Sequence, residues 1–129
     1  MIPKYILKEV LFYKEKYKDQ TEITRLVPNK NYIEYTSEVT GNPYNYVTHD
    51  KINIYELSNL CKIWAFTMGY ELLSGTISED NGDMIFECSI YNKNADTSDT
   101  YFITEFEALN EPEAIFKASE WILNNKGIK

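Results

Sequence analysis

The sequence predicts an α+β fold: a three-stranded or slightly larger antiparallel sheet packed against two helices, with an additional N-terminal amphipathic helix and strand. Three observations lead there. Residues 52–69 have helical apolar spacing, with Asn53 placed to cap the start and Gly69 to stop the end. Residues 110–127 repeat that arrangement with Asn110 and Gly127. Between the two lie three stretches of strand character, and the first pair is joined at Asn81-Gly82, a strong short hairpin signal. At 129 residues the chain suits one domain. Residues 1–52 read as an N-terminal helix/strand extension, and 53–127 as a helix–β–β–β–helix core.

Taken in order, residues 3–18 predict an amphipathic helix. Pro3 is acceptable in its first turn, Ile6, Val10, Tyr13 and Tyr17 form an apolar stripe, and Lys4, Lys8, Lys14 and Lys18 lie mostly off it. Residues 32–40 alternate, with Ile33, Tyr35 and Val39 to one side and Glu34, Glu38 and Thr40 to the other, as in a half-buried strand. A further strand at 23–27 is compatible with the pattern. Asn42-Pro43 marks a turn, and residues 44–51 lead from it into the central helix.

In that helix Ile54, Leu57, Cys61, Trp64 and Met68 share one face, while Tyr55, Ile63 and Phe66 lie on the opposite side. A helix apolar on two sides is expected to be covered on both. Glu56, three residues after Asn53, completes a capping box, and Ile52 faces Leu57 as a hydrophobic staple. A two-residue loop at Asn81-Gly82 pairs Leu73 with Ile90, Gly75 with Cys88 and Ile77 with Phe86 on an inner face. Residues 92–99 read as a loop and 100–107 as a third strand, with Phe102 and Phe106 inward. In the last helix Ile115, Ala118, Ser119 and Ile122 form the inner stripe, and each asparagine cap is worth about 1 kcal/mol against alanine.

Charge limits the function classes. The chain carries −7 overall, but residues 1–18 are +3 and residues 71–120 are −10. The acidic stretch repels phosphate, so no direct contact with nucleic acid is expected through the C-terminal half. No apolar run reaches the roughly 20 residues of a membrane span, and residues 1–10 lack the organisation of a signal peptide. A cytoplasmic protein with no membrane partner is therefore expected.

No catalytic constellation stands out, and no cofactor or metal is expected. Cys61 and Cys88 fall on inward faces and His49 is the single histidine, so closely spaced zinc ligands are absent. A Cys61–His49 nucleophile would need an accessible, activated thiol, which a buried stripe does not offer. Asp80, Asn81 and Asp83 lack the later bidentate glutamate of a calcium loop and serve a turn instead. There is no glycine-rich phosphate loop. What remains is acid. Glu87, Glu105 and Glu107 are expected on the outer face of the sheet, with Asp80, Asp83, Asp96 and Asp99 at its loops. Beside Tyr91 and Tyr101 they form a candidate partner-binding face, in which charge speeds encounter and tyrosines supply anchors. The alternative is a solvated surface that keeps a small protein soluble.

The segments IYELSNLCKIWA at 54–65 and EPEAIFKASEWIL at 111–123 resemble small uncharacterised proteins carried by phages and prophages of Bacteroidota. The resemblance spans roughly residues 53–124 and implies a helix–strands–helix unit of mobile-element origin. It carries no catalytic residue, because capping and packing already explain both segments. Charge and resemblance together raise the expectation of a non-enzymatic inhibitor acting in the host bacterial cell. Its target would be a host defence protein with a basic nucleic-acid channel. An anti-CRISPR protein of this kind would bind an RNA-guided effector nuclease of type VI or type II and interfere with guide or target binding. The alternative is a phage interaction or structural module that forms a homo-oligomer. Monomer and homodimer are both open.

Overall fold

The computed structural model of the chain describes residues 2–41, 45–79, 82–93 and 102–125. Among the described residues the fold is α+β, with three α-helices, a short 3-10 turn at Lys18–Gln20 and two three-stranded antiparallel sheets. Residues 1–60 and 61–129 form two compact units, and the boundary falls inside the second helix.

The first unit begins with α1 (Lys4–Phe12). This helix is shorter than the expected 3–18. It stops where the Phe12 carbonyl accepts from Glu15 N–H at 2.9 Å, and Tyr17 is exposed and not part of its stripe. Ile6, Leu7 and Val10 are buried where α1 packs on β1 (Thr21–Pro28). Next come β2 (Tyr32–Thr40) and β3 (Asn45–Asn53), giving the sheet order β1-β2-β3. Ile23, Ile33, Ser37 and Ile52 line the buried face, as the alternation of residues 32–40 requires. Lys18 donates to Glu9 Oε1 at 2.8 Å, which pairs a largely buried carboxylate.

Helix α2 (Ile54–Thr67) has the ends that its sequence specifies. Asn53 Oδ1 accepts from Tyr55 N–H at 2.8 Å and Glu56 N–H at 3.3 Å, and Gly69 takes φ +95°, the left-handed conformation that terminates a helix. Leu57, Cys61, Trp64 and Ala65 are fully buried. The opposite side is not covered. Tyr55, Ile63 and Phe66 are 57, 45 and 52 % exposed, so the expectation of a helix buried on both sides is wrong. Large apolar residues on the surface are common, because a folded chain lacks enough polar area to hide them all.

In the second unit β4 (Tyr70–Ser78), β5 (Met84–Asn92) and β6 (Phe102–Ala108) pair in that order, and α3 (Glu111–Asn125) lies across all three strands. Asn110 Oδ1 caps α3 by accepting from Glu113 N–H at 2.9 Å. Gly127, expected to end this helix, lies outside the described residues, as do the turn residues Asn42, Pro43, Asp80 and Asn81.

The β4–β5 register differs from the expected one by a single residue. Leu72 pairs with Ile90, Thr76 with Phe86 and Ser78 with Met84, so the connection spans Glu79–Asp83 and not two residues. It is closed by Glu79 N–H to Asp83 O at 2.8 Å and Gly82 N–H to Glu79 O at 2.9 Å, with Gly82 at φ +89°. A one-residue slip exchanges the faces of a strand. Leu72 is thus buried at 4 % exposure and Leu73 is outside at 51 %, the reverse of the sequence reading. In β6 the pairing with β5 shifts between Ile90↔Thr104 and Tyr91↔Phe102. That irregularity turns Phe102 outward, half-exposed, while Phe106 stays on the inner side opposite Cys88. The core of this unit is Trp64, Leu72, Cys88, Ile90, Ala114, Ile115, Phe116, Ala118 and Ile122.

Candidate functional site

The outer face of β4–β5–β6 is built from cross-strand rows. Glu87 stands between Gly75 on β4 and Glu107 on β6, and the next row is Leu73, Ser89 and Glu105. A third row places Glu71 and Phe102 on either side of Tyr91, whose ring meets that of Phe102 edge to face with centroids 5.8 Å apart. The central strand therefore contributes Glu87 and Tyr91, and β6 contributes Glu105 and Glu107. Three of the expected acids share one face, with exposed Leu73 and Phe102 beside them.

The electrostatics follow from this crowding. Like charges directly across a sheet destabilise each other. Ser89 Oγ donates to Glu87 Oε1 at 3.3 Å. The Glu105 carboxyl is raised above the ordinary glutamate range, first by desolvation against the sheet, then by its hydrogen bond with Glu87 and the charges of Glu87 and Glu107. Among the described residues no Lys or Arg side chain forms an ion pair with any of these three carboxylates. A guanidinium or ammonium group arriving on this face would relieve the repulsion. Above Gly75 there is open space, since nothing lies within 4 Å of where a Cβ would stand.

The remaining expected contributors divide. Asp83 is exposed in the β4–β5 connection, beyond the end of the acidic rows. Asp80, Asp96, Asp99 and Tyr101 lie outside the described residues.

A second candidate site escaped the sequence reading. On the outer face of the first sheet, Arg25, Thr36 and His49 form one row and Val27, Glu34 and Lys51 the next. Together with Tyr35 and Asp50 they line a hollow of about 470 Å³. The single arginine and single histidine of the chain thus meet on one surface. His49 Nδ1 lies 3.0 Å from Thr36 Oγ1, and Lys51 Nζ sits 5.1 Å from the Tyr32 ring centroid. Tyr35 is raised above the ordinary phenol value by burial and by the charges of Asp50 and Glu56. The signal that could have revealed this row was strand β3, which lacks apolar alternation over Asn45–Lys51 and becomes legible only through its pairing with β2.

Neither cysteine is poised for chemistry. Burial pushes both thiols up to about 12, and for Cys61 a hydrogen bond with Ser119 only partly opposes this. Among the described residues no three potential ligands gather for a metal ion, and no helix is long and apolar enough to cross a membrane.

No family model matches the chain, and no curated protein or solved structure matches it.

Proposed function

We propose that this chain is a non-enzymatic, protein-binding inhibitor whose acidic sheet face docks on the basic nucleic-acid channel of a host defence protein. The observation that supports the reading is the shared row of Glu87 and Glu107, with Glu105 diagonal to it, without a Lys or Arg ion pair among the described residues and bordered by Tyr91, Phe102 and Leu73. Such acids steer a basic partner into contact, and flanking aromatic and aliphatic groups anchor it once water is displaced.

The charge division between the units supports the same reading. Residues 1–60 carry eight basic and eight acidic side chains, whereas residues 61–129 carry five and twelve, so the second unit holds the whole net charge of −7. In its sharpest form the proposal is an anti-CRISPR protein that acts on a type VI or type II RNA-guided nuclease and blocks guide or target binding. That form also draws on the resemblance of residues 54–65 and 111–123 to phage and prophage proteins.

The experiment is a phage-protection assay in cells carrying such a nuclease. Wild-type chain is compared with a variant in which Glu87, Glu105 and Glu107 are all replaced by Lys. Inhibition by the wild type and its loss in the folded variant are expected. Full inhibition by the variant would remove the acidic face as the contact.

A further inference from the structure

We infer that strand β4 is the pairing edge of a homodimer, in which two copies join antiparallel about Ser74 into one six-stranded sheet. The four sheet edges differ in how they are protected against pairing. β1 carries a bulge between Ile23 and Arg25 and ends at Pro28. β3 presents His49, Asp50 and Lys51. β6 has the irregularity opposite Tyr91 and carries Glu105 and Glu107. Bulges, prolines and charges are the devices that keep an edge from pairing with another chain. β4 has none of these within its own sequence over seven residues, and the Lys62 ammonium from the neighbouring helix is held by Ser74, donating to its Oγ at 2.9 Å. The strand runs in unbroken register against β5, and from Leu72 to Ser78 it contains no charge and no proline.

The side chains around this edge say what would cover it. On the outer side Leu73 is exposed, and two residues on Gly75 leaves open space. Antiparallel pairing about Ser74 sets Leu73 of each copy directly opposite Gly75 of the other, so the leucine fills the space that the missing side chain leaves. Leu72 then faces Thr76, and Glu71 faces Ile77. Pairing about Gly75 instead would bring Glu71 opposite Glu79 of the second copy, which like-charge repulsion disfavours. The strand is thus self-complementary in one register. Beside the same edge, exposed Ile63 and Phe66 border a hollow of about 330 Å³ that also includes Lys62, Glu71 and Leu72, apolar surface that a second copy can shelter. The bonds involved are backbone bonds in the plane of the sheet, so Glu87, Glu105 and Glu107 stay open on the outer face; Leu73, which borders them, is taken up by the second copy and leaves Tyr91 and Phe102 as the anchors of the proposed docking face.

The test is the mass in solution, by size-exclusion chromatography with light scattering at high micromolar concentration. The wild type should have twice the 15.1 kDa chain mass. Leu73→Lys should give the monomer mass with unchanged circular dichroism, while Leu109→Lys, at an exposed position away from β4, should remain dimeric. A cysteine scan reads the register independently. Across the two-fold axis the Ser74 Cα atoms come within about 4.5–5.5 Å, inside disulfide range, so Ser74→Cys should cross-link on mild oxidation. Ser78→Cys, paired with Tyr70 of the other copy, should not. A monomeric wild type, a dimer that survives Leu73→Lys, or cross-linking at position 78 and not at 74 would each overturn the inference.

Discussion

The register of the β4–β5 hairpin decides which of two adjacent leucines belongs to the core, and paired truncations test it. Leu72 is 4 % exposed and lies in register with fully buried Ile90, whereas Leu73 is 51 % exposed on the outer face. Removing a buried leucine side chain forfeits its transfer free energy and leaves a cavity, which together cost about 2–5 kcal/mol. Removing one exposed to this degree costs roughly 0.5 kcal/mol or less. Leu72→Ala should therefore lower stability by at least about 2 kcal/mol more than Leu73→Ala. Guanidinium unfolding followed by tryptophan fluorescence measures the difference, since Trp64 is completely buried and reports on the core of the same unit. Low micromolar protein keeps association out of the comparison. If Leu73→Ala proved the more damaging change, the two-residue loop at Asn81-Gly82 would be the true connection and every face of β4 would be exchanged.

Three further outcomes follow from named residues. Replacing Asn53 or Asn110 by Ala removes the side chain that accepts the first-turn N–H groups and should cost about 1 kcal/mol each in unfolding free energy. Because the Glu105 pKa is raised in the folded chain, the folded state holds more protons than the unfolded one in the window above an ordinary glutamate. Wild-type stability should thus fall as pH rises through that window, so Glu105→Gln should be the more stable protein at neutral pH and should converge with the wild type below about pH 4, read from melting temperature against pH. With both thiols near 12, a thiolate fraction on the order of one in ten thousand at pH 8 leaves Cys61 and Cys88 unreactive to a thiol reagent in the native chain, and both should label on unfolding; rapid native labelling of either would contradict their burial.

Both ends of α2 and the start of α3 were legible because their causes are local, whereas the end of α1 at Phe12 was not. Asn53 and Asn110 bond to backbone groups two or three residues away, and Gly69 adopts a conformation that other residues resist. The hairpin was legible in existence but not in register. Asn81-Gly82 favours a two-residue loop, yet the chain closes through Glu79 and Asp83, and adjacent Leu72 and Leu73 let either register present an apolar residue to the core. The acidic face survived this error because its carboxylates come from β5 and β6, and their mutual pairing does not depend on β4. Phe102 was misplaced because an irregularity between Ile90 and Tyr91 changes which side of the sheet it meets, and no residue type announces it. β3 was missed because in Asn45–Lys51 only the adjacent Tyr46 and Val47 are apolar, one on each face, which leaves no alternation to read. Its partner β2 supplies the order, and with it the row that joins Arg25 to His49.

Parallel affinity capture tests the acidic docking face most directly. Tagged wild type and the folded Glu87→Lys, Glu105→Lys, Glu107→Lys variant are passed through one lysate of cells carrying an RNA-guided nuclease. The docking face requires that the nuclease be recovered with the wild type, that its retention weaken as salt is raised, and that it be absent from the variant. Equal recovery of the nuclease by both chains, or its recovery by neither, would contradict it.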